Sequence, residues 1–319
     1  MTSKIDAWGG EARVHSAGGA TADGAATPAP TVLLVCTGVR PEEKMLVEAF
    51  HSRSVELAVV DDRLIRGNLA SWPDGLPHAD AILLRSKSHW RNLTLAKWME
   101  SLPGSARVVN SSRAIETCGD KILTTLALNQ AGVRTLAASV AFTPEGGMLA
   151  GDAVGYPLVV KPVIGSWGRL IGRVNDRDAL ETALDHKEAL GGAPHAVAYL
   201  QGFVQKKGGR DIRSFVVGGR CIAAIYRTSE HWKTNTALGA VASACTVDAE
   251  LAQISTDAAA AVGGGVVAVD LFETDEGYVV NEVNGTMEFR NSVHTTGVDI
   301  PGAVVEYVLS SVRDATAVR

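Results

Sequence analysis

The sequence predicts a mixed fold: a small parallel α/β unit followed by two α+β lobes. Three observations carry this reading. Between residues 31 and 86, short β-branched runs alternate with an amphipathic segment; between 156 and 198, two strands bracket a glycine turn and a long helix follows; beyond 199, apolar runs are joined by tight Gly-Gly and Asp-Glu-Gly connections.

The first unit begins with TVLLVCTG (31–38), a buried-strand pattern. EEKMLVEAFHSR reads as a helix, VELAVVDD as a second strand and ADAILLRS as a third, with LTLAKWMESL a further helix. The first turn, CTGVRP, lacks the glycines that let a backbone approach a pyrophosphate, which argues against a dinucleotide fold. Next, VVNSSRAIETCGDKILTTLALNQAGV carries an apolar stripe of Ile122, Leu123, Leu126 and Leu128 that ends at Gly132. Two strands around GSWGR and the helix RDALETALDHKEALGG make the second lobe. YLQGFVQ, DIRSFVVGGRCIAAIYR, GGVVAVDLFE and GYVVNEVN, with STDAAAAVGGG as a helix among them, make the third, largely an antiparallel sheet. The expected divisions are a flexible, Gly/Ala/Pro-rich extension over 1–30, a first domain over 31–115, a central one over 116–198 and a last one over 199–319.

Composition narrows the function classes. With 319 residues, 46% hydrophobic and 20% charged, the chain can bury two or three cores. A net charge of -5 gives no footprint for nucleic acid or an anionic membrane surface. The four cysteines are far apart and have no metal-ligand spacing, which fits a reducing cytoplasm. No run of about 18 apolar residues suggests a membrane span.

The chemistry-bearing residues lie in the second half. AVDLFE and VVNEVN, joined by a three-residue loop within TDEG, place Asp270 across from Glu282, with Asn284 on the same face. Opposed carboxylates repel unless a cation lies between them, and such an oxygen set suits Mg²⁺ shared with phosphates. Lys161, between an apolar strand and a proline, is an odd place for a cation unless an anion waits there; Lys121 opens a helix in GDK. Arg169 and Arg213 add positive groups that suit a triphosphate. Trp167 either covers a nucleotide or packs. Arg227 and Asn235, with Lys233 between, either converge on a carboxylate and an amine or belong to a charged loop. His231 and His294 have no partner at metal spacing. The stretch VVKPVIGSWGRLIGRV resembles a phosphate loop, yet a strand rather than a helix follows its turn, so it is no Walker loop.

Together, ETCGDK, VVKPVIGSWGR, GRDIRSFVVGG, IYRTSEHWKTN and above all NEVNGTMEFRNSVHTTGVDIPG resemble the ATP-grasp superfamily, and within it the LysX/RimK group of carboxylate-amine ligases. The last run is similar to enzymes that attach 2-aminoadipate or glutamate to a small acidic amino-group carrier protein, LysW, in lysine and arginine biosynthesis. The resemblance covers nearly everything after Thr31. It implies an ATP-grasp fold with ATP clamped between two lobes. Lys121 and Lys161 would touch the phosphates, with Arg213 beside them. Gly165, Ser166, Trp167 and Gly168 would close as a lid, and Gln201, Gly202, Phe203 and Val204 would meet adenine. Asp270, Glu282 and Asn284 would hold two Mg²⁺, and Lys161, Arg213, Arg227 and Asn235 would serve catalysis. In that family a carboxylate attacks the γ-phosphate to give an acyl phosphate, and an amine then displaces phosphate.

On this resemblance the partners are an acidic carrier ending in glutamate and an amino acid, without nucleic acid or membrane, in a cytoplasmic dimer or tetramer. Arg85, Lys87, Arg91, Lys206 and Lys207 are candidates for the carrier's docking surface. Alternatives are a RimK-like ligase acting on another protein or peptide, and an ATP-binding module without turnover. Gly202, Leu238, Ala240 and Gly285 depart from the residues usual in the family and point to a non-standard amino acid.

Overall fold

The computed structural model describes residues 13–15, 29–53, 55–104, 106–165, 168–192, 196–234 and 239–317. The chain divides into two compact units, one of residues up to Ser112 together with those from Pro301 on, the other of Arg113–Ile300.

The first unit runs β1 (Arg13–His15), β2 (Thr31–Cys36), α1 (Pro41–His51), β3 (Glu56–Asp61), β4 (Ala81–Arg85), α2 (His89–Ser101) and β5 (Arg107–Val109). Strands β3, β2, β4 and β5 are parallel neighbours, as the alternation predicts. Val32, Leu33, Leu34, Val35 and Cys36 of β2 are all fully buried, which is why that strand reads as a continuous apolar run. The extension expected to be flexible contributes β1, paired antiparallel to β3; the rest of 1–28 lies outside the described residues. Pairing with a sheet edge needs only backbone donors and acceptors, which composition does not reveal.

The second unit contains α3 (Ser112–Gly119), α4 (Lys121–Gln130), β6 (Ala138–Ala141), α5 (Pro144–Val154), β7 (Leu158–Lys161), β8 (Gly172–Val174), α6 (Arg177–Leu190) and β9 (Ala198–Gly202). It continues with β10 (Arg210–Val217), β11 (Arg220–Thr228), β12 (Val241–Cys245), α7 (Ala249–Ala261), β13 (Val266–Thr274), β14 (Gly277–Asn284) and α8 (Arg290–Thr296). A final helix, α9 (Ile300–Ala317), groups from Pro301 with the first unit rather than with the last lobe.

The apolar segment holds two helices, and the one that carries the expected stripe opens at Lys121 as GDK suggests. Asp120 ends α3 and caps α4, its carboxylate accepting from the Ile122 and Leu123 N–H groups at 2.7 and 3.0 Å. Of the expected stripe only Leu128 is fully buried, while Leu123 and Leu126 are exposed.

Two antiparallel sheets build the second unit. One has the order β6-β9-β7-β8 and packs α5 and α6 around Leu158, Leu180, Leu184 and Leu200. The other has the order β12-β11-β10-β13-β14, with α7 over a core that includes Val216, Val267, Val269 and Val283. Strand β6 and helix α5 carry too few β-branched or charged residues to announce themselves in the sequence.

The turn between β13 and β14 sets the register of the residues that face the site. Thr274 pairs with Gly277, so the connection has two residues, Asp275 and Glu276, instead of the three expected. Gly277 has φ of +104°, a conformation that side chains strain to adopt. Gly277→Ala should lower stability by about 1–3 kcal/mol, measured by chemical denaturation. An unchanged midpoint would mean that the turn relaxes without cost.

Candidate active site

A two-residue turn alone would place Asp270 opposite Asn281. A β-bulge between Asp270 and Leu271 on one side and Val280 and Glu282 on the other inserts Asn281 as an extra residue, so that Asp270 pairs with Glu282 and Ala268 with Asn284. The expected carboxylate pair therefore forms, by a shorter loop and a bulge. Asn281 and Glu282, adjacent in sequence, both line the same pocket, which a regular strand would forbid.

Lys161, at the end of β7, lines that pocket and is only 6% exposed. Its Nζ donates to Asn281 Oδ1 at 2.9 Å. An ammonium has three N–H donors, and no other described residue accepts from this one. Burial pushes Lys161 down to about 8; Glu282 and Asp270 oppose the shift, while Lys121 and Lys206 add to it.

The carboxylates are balanced by arginines rather than left opposed. Asp270 is 3% exposed and is paired across strands with Arg213, whose Nε and Nη2 reach its two oxygens at 2.7 and 2.8 Å. Arg227, 4% exposed, makes the same two-pronged contact to its own cross-strand partner Asp211 at 2.7 and 2.8 Å, and Nη2 lies 3.2 Å from Asp270. Thr234 donates to Asp211 and accepts from Lys206. Burial would raise the Asp270 carboxyl, but the charges and hydrogen bonds of Arg213 and Arg227 hold it well below the usual carboxylate range. Burial likewise opposes the charge of Arg227, and the two aspartates overcome it, raising its pKa.

This network was only half legible in the sequence. Arg227, expected to hold a substrate carboxylate, lines the pocket as a buried link between two aspartates. Arg213, expected at the phosphates, is bonded to Asp270. Asp211 and Asn281 were missed. For Asp211 the available signal was its spacing of two from Arg213, which puts both on one strand face; no sequence signal marks the bulge.

Around the glycine turn, Lys121 Nζ donates to Gly165 O at 2.9 Å, and Lys233 Nζ donates to Ile171 O at 2.8 Å and Gly168 O at 3.4 Å. Two pocket lysines thus hold the carbonyls on either side of the turn. Ser166, Trp167, Asn235 and Leu238 lie outside the described residues.

On the side expected for adenine, Gln201, Gly202, Phe203 and Val204 all line the pocket. The Gly202 and Phe203 N–H groups are committed to the carbonyls of Ala137 and Pro157 at 3.0 and 3.2 Å, so backbone recognition of a base there falls to carbonyls and Val204 N–H. Trp232, not singled out in the sequence, sits edge-on to Phe203 with 6.2 Å between ring centres, and Arg173 covers the same ring. At Gly202 an added Cβ meets only ordinary contacts, whereas at Gly285 it would lie 3.2 Å from Cys118 Cβ. Space therefore restricts position 285 and not 202.

Comparison with known proteins supplies the family. Residues 118–308 match the RimK-like ATP-grasp domain, and residues 32–117 the LysX preATP-grasp domain. The chain belongs to the RimK-like ATP-grasp ligases. It is 35% identical to the alpha-aminoadipate–LysW ligase LysX of Sulfurisphaera tokodaii, over 74% of this chain and 81% of that one. It is 32% identical to the glutamate–LysW ligase ArgX of the same organism, over 87% and 97%. The crystal structure of a RimK domain ATP-grasp protein from Sphaerobacter thermophilus superposes with a TM-score of 0.75 at 28% identity, covering 88% of this chain and 99% of the other. No helix among the described residues is long and apolar enough to cross a membrane.

ATP-grasp ligases use ATP and Mg²⁺, and the residues present fit both. A buried ammonium with two N–H groups lacking acceptors among the described residues suits phosphate oxygens. Glu282 accepts no hydrogen bond from another described residue, and Asp270 Oδ1 takes one from Arg213, which leaves oxygen lone pairs for a hard cation. No cluster of three His, Cys, Asp or Glu competes for a softer metal among the described residues.

Two of the docking residues expected for a carrier are placed elsewhere. Arg85 is buried on Glu43 at 2.7 Å, and Lys206 is held within the Thr234–Asp211 network. Arg91 bonds Asp62 at 2.9 Å and Lys207 approaches Glu273 at 3.4 Å, and both are exposed, as is Lys87.

Arg227→Met should destabilise the second unit by about 3–5 kcal/mol, because it removes the two-pronged partner of buried Asp211 and one of the cations on Asp270. Chemical denaturation at pH 7 measures the loss, and a change within about 0.5 kcal/mol would show that the arginine is dispensable to the fold.

Proposed function

We propose that this ATP-dependent ligase joins the α-amino group of an amino acid to the side-chain carboxylate of a C-terminal glutamate on a small acidic carrier protein, through an acyl phosphate. The observation that carries the reading is the buried Lys161, with two of its donors lacking acceptors among the described residues, in one pocket with the Asp270–Glu282 pair. The carrier and the amino-acid class, 2-aminoadipate, glutamate or a related acid, are supported by the LysW ligases that the chain matches over most of their length.

In the first step a carboxylate oxygen attacks the terminal phosphoryl group of ATP and ADP leaves. In the second, the amine attacks the acyl carbon, phosphate leaves, and a proton is released as the amide forms. Both partners of the first step are anions, so cations must cancel their repulsion. We assign Lys121 and Lys161 to phosphate oxygens and Arg213 to the charge on the phosphoryl group in transfer. Arg227 keeps Asp211 and Asp270 in place beneath them. Asp270, Glu282 and Asn284 are the residues to hold Mg²⁺, two ions in this reading, whose charge would polarise the phosphate oxygens. Gly165 to Gly168 form the cover that keeps water from the acyl phosphate, with Lys121 and Lys233 bonded to the backbone at its base.

Incubation with ATP, Mg²⁺, a panel of amino acids and an acidic carrier ending in glutamate tests the proposal by intact mass. The expected result is a carrier heavier by one amino acid less water, with one ADP per bond. An unmodified carrier alongside a modified small peptide would transfer the chain to the peptide-ligase reading.

Lys161 gives a pH test. Burial lowers its pKa to about 8, so the charge is present below that pH and lost above it. The kcat/KM for ATP, which reports the free enzyme, should fall above about pH 8, and Lys161→Arg should remove that limb. The folded pKa lies below the unfolded value, so the buried charge costs stability below about pH 8 and the cost is relieved as pH rises further. Lys161→Met should therefore raise the ligand-free melting temperature at pH 7 while abolishing turnover; a lower melting temperature would contradict the assignment.

A further inference from the structure

Asn281 lies outside every role assigned so far, yet the fold goes to some length to place it. The β13–β14 ladder runs in one register from Thr274↔Gly277 to Leu271↔Val280 and in another from Asp270↔Glu282 onward, and Asn281 is the residue skipped between them. A bulged residue is released from the alternation of faces. Here the release lets Asn281 and Glu282 share the pocket, and the Asn281 carboxamide oxygen is the described acceptor for the Lys161 ammonium, at 2.9 Å across 120 residues of sequence.

The chemistry of that acceptor is specific. Lys161 stands among Glu282 and Asp270, which attract it, and Lys121 and Lys206, which repel it. A carboxylate at 281 would hold the ammonium too, but would add another negative charge beside it and cancel the charge that phosphates need. An apolar side chain of the same shape would leave a buried lysine with four flexible carbons and no protein partner. A neutral amide fixes the direction of the ammonium, leaves its charge whole and keeps two N–H groups free.

We propose that Asn281 is a positioning residue that holds Lys161 ready for the phosphates of ATP. The proposal rests on the reading of Lys161 as a phosphate contact. Its action is through Lys161 and not on the reacting atoms, and the benefit is preorganisation of a long side chain before ATP arrives.

The test compares Asn281→Asp, Asn281→Leu, Lys161→Met and the double variant Lys161→Met/Asn281→Leu, by equilibrium binding of ATP and of adenosine and by melting temperature. Asn281→Asp keeps the shape and an acceptor, so a purely structural role predicts no loss. Positioning with preserved charge predicts ATP binding weakened about tenfold or more, with adenosine binding unchanged. Asn281→Leu should weaken ATP to a similar extent and raise KM for ATP more than it lowers kcat. Added to Lys161→Met, it should cause no further loss, because the two residues act as one unit. If Lys161→Met leaves ATP affinity intact, the phosphate reading of Lys161 fails. If Lys161→Met weakens ATP while both single Asn281 variants bind it normally, the Asn281 proposal alone is overturned. Equal weakening of ATP and adenosine by Asn281→Asp would likewise overturn it, since that marks damage to the pocket as a whole.

Discussion

Asp270 is a fully desolvated carboxylate that faces a second carboxylate across the strand, and the pocket depends on how that charge is balanced. Arg213 and Arg227 do so from one side. An isolated buried carboxylate would take up a proton and lose its value as a ligand for a hard cation. With two guanidiniums on it, the carboxylate stays ionised. Arg227 then requires Asp211, and Asp211 draws in Thr234 and Lys206. A single ionised side chain thus fixes the positions of five others on three adjoining segments of chain.

The glycine stretch at 159–174 belongs to the same electrostatic design. Its strands β7 and β8 pair as a hairpin, and its turn carbonyls are held by Lys121 and Lys233, both of which line the same pocket as Asp270 and Glu282. The turn is therefore coupled to the charge state of the pocket, which a Walker-type loop, built on a helix N-terminus, would not be.

Much of the secondary structure was legible because periodicity is local. The buried β2, the Gly-Gly hairpin of β10 and β11 and the amphipathic α6 follow from spacing alone. So did the Asp270–Glu282 pair, although the reasoning used a three-residue loop and the molecule uses two residues and a bulge. The helix expected to open at Lys121 does so, capped by Asp120, but two residues of its expected stripe, Leu123 and Leu126, are exposed. Arg85 and Lys206, expected on a docking surface, are buried because Glu43 and Asp211 are close in space and far or unremarkable in sequence.

By itself, the sequence determined most of the order of strands and helices, the pairing of Asp270 with Glu282 across two strands, and the place of Lys161 before a glycine turn. Those properties depend on neighbours a few residues away, within reach of helix and strand periods. Only the tertiary structure decided which cation meets which anion, that Arg227 is a buried link, and that the skipped Asn281 turns to Lys161. The physical reason is that charge balance and desolvation are set by groups brought together across a hundred residues or more, and a bulge that re-aims one side chain leaves no mark in the pattern of apolar residues.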